Sequence, residues 1–118
     1  MSHKRILIVD DSSMMRKMIA SVLQPPKYTV VGEARNGIEA VEMYKSLKPD
    51  LVTMDITMRD MDGMEAAKEI YKIDSSAQII FLSNLDEEKY RHEVEELGAI
   101  GFVTKHNTKE ILSLIDKQ

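Results

Sequence analysis

The sequence contains no cysteine. A disulfide framework is therefore excluded, and a reducing compartment is the natural expectation. No apolar run approaches the ~18–20 residues that a membrane span requires. The opening His3-Lys4-Arg5, followed by Ile6 to Val9, imitates a secretion signal, but its apolar stretch stops at two aspartates. Such a signal needs an apolar core of ~7–15 residues. A cytoplasmic protein without membrane association is expected. A basic stripe is missing too: the net charge is −4, and nucleic-acid binders cluster their lysines and arginines. Direct DNA or RNA binding is not expected. Linkers and low-complexity segments are also lacking, so residues 1–118 are expected to form a single domain.

What remains is 43% apolar and 31% charged, enough to bury a core without metal or disulfide staples. Strand-like runs alternate with helix-like runs about three turns long. Met15, Met18, Ile19, Val22 and Leu23 recur at helical spacing, with Ser12 or Ser13 placed to cap the helix and Pro25-Pro26 to stop it. Tyr28 to Val31 is a less apolar strand, suited to a sheet edge. Asn36-Gly37 opens a helix with Ala40, Val41, Tyr44 and Leu47 on one face, and Pro49 ends it. Asp62-Gly63 opens a third with Met64, Ala67, Ile70 and Ile73. A fourth helix is expected from about Asp86 to Leu97, burying Tyr90, Val94 and Leu97 and ending at Gly98. The last begins with capping-box spacing from Asn107 to Glu110 and carries Ile111, Leu112, Leu114 and Ile115. Five strand–helix pairs predict an α/β domain with a doubly wound parallel sheet, and the continuous apolar runs predict central strands covered on both faces.

Four strand-like runs end in chemically capable side chains. Arg5 to Val9 runs into Asp10-Asp11, Leu51 to Met54 into Asp55, Ile79 to Leu82 into Ser83, and Ile100 to Thr104 into Lys105. Open parallel sheets bind ligands outside the carboxyl ends of their strands. These ends would pool three carboxylates, a hydroxyl and an ammonium. Carboxylates ~4 Å apart repel by about 4 kcal/mol at an effective dielectric near 20, so the cluster calls for protons or a cation. An all-oxygen site that admits a phosphate favours Mg²⁺, with Mn²⁺ as the alternative. Asp55 is the candidate nucleophile, forming an acyl phosphate. Lys105 and Ser83 are candidates for contacting phosphoryl oxygens. Each residue also has a plain reading: helix-capping acids, a turn acid, a surface lysine, a helix cap.

Taken together, Ile6-Leu7-Ile8-Val9-Asp10-Asp11, Val52-Thr53-Met54-Asp55-Ile56-Thr57-Met58, Asp62-Gly63 and the stretch from Gly98-Ala99 to Lys105 closely resemble the receiver domains of two-component response regulators. The likeness runs from about Lys4 to the C-terminus. It looks most like the stand-alone chemotaxis regulators of the CheY type, without an output domain. The resemblance implies a flavodoxin-like (βα)5 fold with strand order 2-1-3-4-5. It implies Asp55 as phosphoacceptor, supplied by a sensor histidine kinase. Asp11 would bind Mg²⁺ directly and Asp10 through a metal-bound water, and Asp55 and the Thr57 backbone carbonyl would complete the ligands. Lys105 and Ser83 would hold the phosphoryl oxygens. Phe102 would be the switch aromatic, turning inward as Ser83 moves. The changed surface of the fourth helix, fifth strand and fifth helix would bind a target such as the flagellar motor switch, or a phosphorelay partner. A phosphatase is a further partner of such proteins, and a monomer is expected.

The chain departs from that pattern at its rim. His106 follows the lysine where relatives usually carry proline, commonly with a cis bond. A cis bond before a non-proline residue costs ~3–4 kcal/mol, so a trans bond and an altered loop are expected. Arg59 stands where proline commonly follows the methionine. Asn84 occupies a usually small position that gates access to the phosphoacceptor. Thr57 and Leu85, at the positions flanking attacking water, are neither acids nor amides, so a long-lived acyl phosphate is expected. Met14, Met15 and Met18 read as core and docking surface. Asp86, Glu87, Glu88, Glu93, Glu95 and Glu96 read as a solvated face that can help select a partner.

Other functions compete. A haloacid-dehalogenase-type phosphatase wants a second acid two residues after its aspartate, where this chain has Thr57. An FMN-binding flavodoxin needs a hydroxyl- and glycine-rich phosphate loop, whereas Asp10-Asp11 would repel the phosphate. A receiver serving as a plain protein-binding module, or as a relay intermediate, is the nearer alternative. No enzyme activity beyond self-phosphorylation and self-dephosphorylation is expected.

Overall fold

The computed structural model describes residues 3–117, with the backbone but not the side chains of residues 85 and 86. Five parallel strands alternate with helices in the order β1 (Lys4–Val9), α1 (Ser13–Val22), β2 (Tyr28–Ala34), α2 (Gly37–Leu47), β3 (Leu51–Asp55), α3 (Gly63–Ile73), β4 (Ile79–Ser83), a 3₁₀ helix (Leu85–Tyr90), α4 (Arg91–Leu97), β5 (Gly101–Thr104) and α5 (Glu110–Asp116). The sheet order is β2-β1-β3-β4-β5, the expected doubly wound, flavodoxin-like arrangement. β2 lies at the edge but runs three residues beyond Val31. Its register slips between Ile6 and Leu7, which face Val30 and Gly32, so Val31 is the extra residue of a bulge.

Because successive side chains of a strand point to opposite faces, β1, β3 and β4 feed two cores. Leu7, Val9, Val52, Met54, Ile79 and Phe81 pack under α2, α3 and α4 against Ala40, Tyr44, Ala67, Ile70 and Val94. Ile6, Ile8, Leu51, Ile80 and Leu82 pack on the other face against Ile19, Ile111 and Ile115 of α1 and α5. Continuous apolar runs thus mark strands buried on both sides.

Ser12, Asn36 and Asp62 cap α1, α2 and α3, each side chain accepting the backbone N–H three residues on. α2 stops one residue before Pro49, at Lys48 in the left-handed conformation (φ 47°), and α4 stops at Gly98 (φ 93°). Four sequence expectations need correction. The fourth helix is not continuous from Asp86: its first turn is 3₁₀, tightened by the Glu87 N–H to Asn84 carbonyl bond of 3.0 Å. The Asn107–Glu110 capping box does not form. The Glu110, Ile111 and Leu112 amides instead bond the carbonyls of Asn107, Thr108 and Lys109, and α5 begins at Glu110 without a side-chain cap. Met18 and Ile73 lie on the solvent side of their helices, each 46% exposed. Glu87, expected on a solvated face, is buried.

Backbone bonds fix the strand ends that matter. The Asp10 N–H bonds the Ala34 carbonyl at 3.0 Å, and the Lys105 N–H bonds the Ser83 carbonyl at 2.8 Å. Gly63 brings α3 against the end of β3, its N–H donating to the Ile56 carbonyl at 2.7 Å. A Cβ there would run into the Asp55 carbonyl oxygen, which as backbone cannot swing aside. Gly63→Ala is expected to destabilise the protein by about 1–3 kcal/mol, seen as a lower urea midpoint with an unchanged slope.

Candidate functional site

The strand order places the carboxyl ends of β1, β3, β4 and β5 side by side. Asp10 follows β1, Asp55 and Ser83 are the last residues of β3 and β4, and Lys105 follows β5. Asp10, Asp55 and Ser83 are buried, while Asp11 is exposed. The Lys105 ammonium lies 3.2 Å from Asp10 Oδ2 and 3.1 Å from Asp55 Oδ1. Asp10, Asp11 and Asp55 each offer a carboxylate oxygen within 4.8 Å of the others. Asp10 also serves the plain reading, since its Oδ1 accepts the Ser12 N–H at 2.9 Å at the start of α1. Its carbonyl oxygen accepts from the Arg16 guanidinium at 2.8 Å.

Three carboxylates thus face one ammonium, and negative charge is left over. Burial, reinforced by Asp10 and opposed by Lys105, pushes the Asp55 carboxyl up to about 7 from its ordinary 3.8. For Lys105, burial works against the charged form, but Asp55 and Asp10 outweigh it and hold the ammonium above its ordinary value. The buried atoms without a hydrogen-bond partner among the described residues include two at the open end of this site, Asp55 Oδ2 and Ser83 Oγ. Unsatisfied buried polar atoms are costly. A carboxylate oxygen left bare beside two other carboxylates suits a cation, and this all-oxygen cluster can hold a metal ion.

A cavity of about 330 Å³ opens over the site, with Asp11, Asp55, Thr57, Asn84, Glu87 and Lys105 in its lining. A larger groove of about 680 Å³ lies elsewhere, between α3 and α4 along Met61, Tyr71 and Leu97. At the rim, the exposed Thr57 donates its hydroxyl to Glu87 Oε2, and the Asn84 N–H donates to Glu87 Oε1 at 2.7 Å. Leu85 starts the 3₁₀ helix, and its side chain lies outside the described residues. His106 is exposed, and the Lys105–His106 bond is trans. Phe102 is half-buried on β5, with the Arg91 guanidinium 4.5 Å from its ring centroid. Arg91 in turn is paired with Glu88.

Sequence reasoning brought Asp10, Asp11, Asp55, Ser83 and Lys105 to this sheet end and missed Glu87 and Arg91. The signal for Glu87 was present: Asn84 and Glu87 have the same three-residue spacing as Asn107 and Glu110. Nothing in the sequence marked Arg91 as the cation over Phe102, since that contact joins α4 to β5.

The model of the "Response regulator receiver domain" family matches residues 6–116. Chemotaxis protein CheY of Thermotoga maritima is 51% identical over 102 residues, covering 86% of this chain and 85% of the relative. Chemotaxis protein CheY of Bacillus subtilis is 47% identical over 118 residues, covering 99% and 98%. A chain of the CheX–CheY–BeF3–Mg complex of Borrelia burgdorferi superposes with a TM-score of 0.89 at 31% identity, covering 97% of this chain and 87% of that one. With the sheet order, the clustered aspartates and these likenesses together, the chain belongs to the response regulator receiver domains, among relatives named as chemotaxis protein CheY.

Proposed function

We propose that Asp55 accepts a phosphoryl group from a phosphohistidine on a sensor kinase. The observation that carries this reading is Asp55 Oδ2, a buried carboxylate oxygen with no partner at the open end of β3. In the transfer a new P–O bond forms to Asp55 as the P–N bond to the imidazole breaks, and the electron pair leaves with the imidazole. Mg²⁺, or Mn²⁺ in its place, held by Asp10, Asp11, Asp55 and the Thr57 carbonyl, supplies the positive charge that offsets repulsion between phosphate and carboxylates. Asp55 reacts as the carboxylate, so its proton must first be lost to solvent. Lys105, now shared between Asp10 and Asp55, turns its ammonium to a phosphoryl oxygen, a task suited to a point charge on a flexible stem. Ser83 donates its otherwise unused hydroxyl to a second oxygen.

The movement of Ser83 then makes room for Phe102. Arg91 over the ring favours the present half-exposed position by about 0.5–1 kcal/mol, the usual worth of such a contact near solvent. Phosphorylation shifts the balance toward an inward ring and a changed surface of α4, β5 and α5. That surface binds a target, here taken to be the flagellar motor switch. The protein works in the cytoplasm as a signalling component and turns over no external substrate beyond its own phosphodonor.

Incubation with Mg²⁺ and acetyl phosphate, followed by intact mass, is expected to show one added phosphoryl group on the wild type and none on Asp55→Asn. A wild type without the adduct would overturn the proposal. Binding of the phosphorylated protein to the N-terminal segment of the motor switch protein, against transfer to a second histidine domain, then separates motor control from relay.

Asp55 also imposes a pH dependence. Its folded-state pKa of about 7 exceeds the ordinary 3.8, so between these values the folded chain holds a proton that the unfolded chain has released. The stability this contributes is complete at acid pH and is lost as pH rises through about 7. In chelator, Asp55→Asn is expected to be more stable than the wild type at pH 8 by about 1 kcal/mol or more, with the gap closing toward pH 5. Urea midpoints at the two pH values check this. Divalent cation added at pH 8 is expected to restore the wild type and leave the variant unchanged.

A further inference from the structure

Among the described residues three carboxylates are buried: Asp10, Asp55 and Glu87. Lys105 answers the first two. Glu87 forms no ion pair among the described residues, yet it is only 6% exposed. A carboxylate withdrawn from water in this way needs its oxygens satisfied. Both are: Oε1 accepts the Asn84 N–H at 2.7 Å, and Oε2 accepts the Thr57 hydroxyl. The two donors belong to different walls of one opening. Thr57 sits two residues beyond Asp55, in the loop from β3 to α3. Asn84 follows Ser83 at the end of β4. Both line the cavity over Asp55, together with Glu87 itself.

We propose that Glu87 is a positioning residue, a latch that ties these walls together and slows traffic through the opening to Asp55. Its geometry stands alone, while its consequence for phosphoryl chemistry rests on the reading of Asp55 as phosphoacceptor. Three effects follow from the same bonds. The Thr57 hydroxyl is committed to Glu87 and does not hold a water for attack on the phosphoryl group. The walls cannot part to widen access without breaking a hydrogen bond to a charged acceptor, among the stronger kinds in a protein. Asn84 is joined to Ser83, so a Ser83 displaced toward Asp55 pulls against the same carboxylate. The family resemblance, with no acid or amide at residues 57 and 85, implies slow hydrolysis. The latch supplies a structural cause for it and names Glu87 as the residue that sets it.

The test uses the full chain, with Glu87→Ala, Glu87→Gln, Thr57→Val and the double variant Thr57→Val/Glu87→Ala. In the unphosphorylated protein, NMR hydrogen exchange is expected to find the Asn84 amide protected. Its exchange is expected to rise about tenfold in Glu87→Ala, the loss of one hydrogen bond to a charged acceptor, and less in Glu87→Gln, which keeps an acceptor. Equal Asn84 exchange in the wild type and Glu87→Ala would overturn the latch, whether or not the protein takes a phosphoryl group. After phosphorylation by acetyl phosphate and removal of the donor, Glu87→Ala and Thr57→Val are each expected to lose the phosphoryl group about three- to tenfold faster than the wild type. The double variant is expected to be no faster than the faster single one, because both changes cut one device. Multiplying effects, or unchanged rates in Thr57→Val, would overturn the proposal. Thr57→Val is nearly isosteric and exposed, so it keeps the experiment decisive if Glu87→Ala does not fold. A wild type that takes no phosphoryl group defeats the Asp55 reading instead, and the exchange measurement still decides the latch.

Discussion

The structure depends on an electrostatic imbalance at one end of its sheet. Asp10 and Asp55 are buried side by side with Asp11 close to both, and a single ammonium stands between the two buried acids. Buried like charges repel far more strongly than they would in water. The chain answers partly with Lys105, partly by raising the proton affinity of Asp55. Neither answer is complete, since Asp55 Oδ2 remains without a partner. The cluster can therefore hold a cation, which would supply the missing positive charge.

Much of this was legible in the sequence because the relevant signals are local. Ile6 to Val9, Leu51 to Met54 and Ile79 to Leu82 are short apolar runs with a polar residue at the end, and a parallel sheet converts such runs into buried strands that point their last residues into one crevice. Asn36 and Asp62 announced two helix starts, and the Ser12-Ser13 pair a third at which Ser12 is the cap, because a cap is made within four residues. The failures arose where the same local pattern had two outcomes. Asn107-x-x-Glu110 and Asn84-x-x-Glu87 share one spacing and both close a 3₁₀-type backbone turn, but only Glu87 also accepts the N–H of its cap residue. At the latter Thr57 gives the glutamate a second donor and draws it inward. Only the fold supplies Thr57, thirty residues away, so the spacing marked Glu87 as a capping acid but not its burial near the exposed Glu88, Glu93, Glu95 and Glu96. Met18 and Ile73 failed for the complementary reason: an apolar residue at helical spacing says nothing about which side of a narrow core face it falls on.

The short 3₁₀ helix and the turn after it connect the two ends of the proposed switch. Glu87 bonds Thr57 and Asn84 at the opening over Asp55, and Glu88 pairs with Arg91, which covers the ring of Phe102. Adjacent glutamates thus face in different directions, one into the cavity over Asp55 and one toward Arg91 and Phe102. A continuous α-helix from residue 85 would turn these neighbours by about 100° and rise 1.5 Å per residue. The 3₁₀ geometry turns them by about 120° with a longer rise. The tighter first turn is therefore part of how this segment reaches both places at once.

The loop after β5 shows the same economy of local bonds. Relatives of this kind commonly place a proline after the lysine, and His106 takes that position here with a trans bond. The lysine keeps its place without it. Its N–H is held by the Ser83 carbonyl at 2.8 Å, and the Asn107 N–H closes a turn onto the Thr104 carbonyl at 3.0 Å. The bond to Ser83 extends the β4–β5 pairing by one step, since Ser83 already faces Thr104 in register. Lys105 is thereby anchored to the strand end that carries the hydroxyl, not to the loop that follows. A long flexible side chain on a fixed backbone is what an ammonium shared between Asp10 and Asp55 requires. Its reach can change when charge arrives, while its origin stays put.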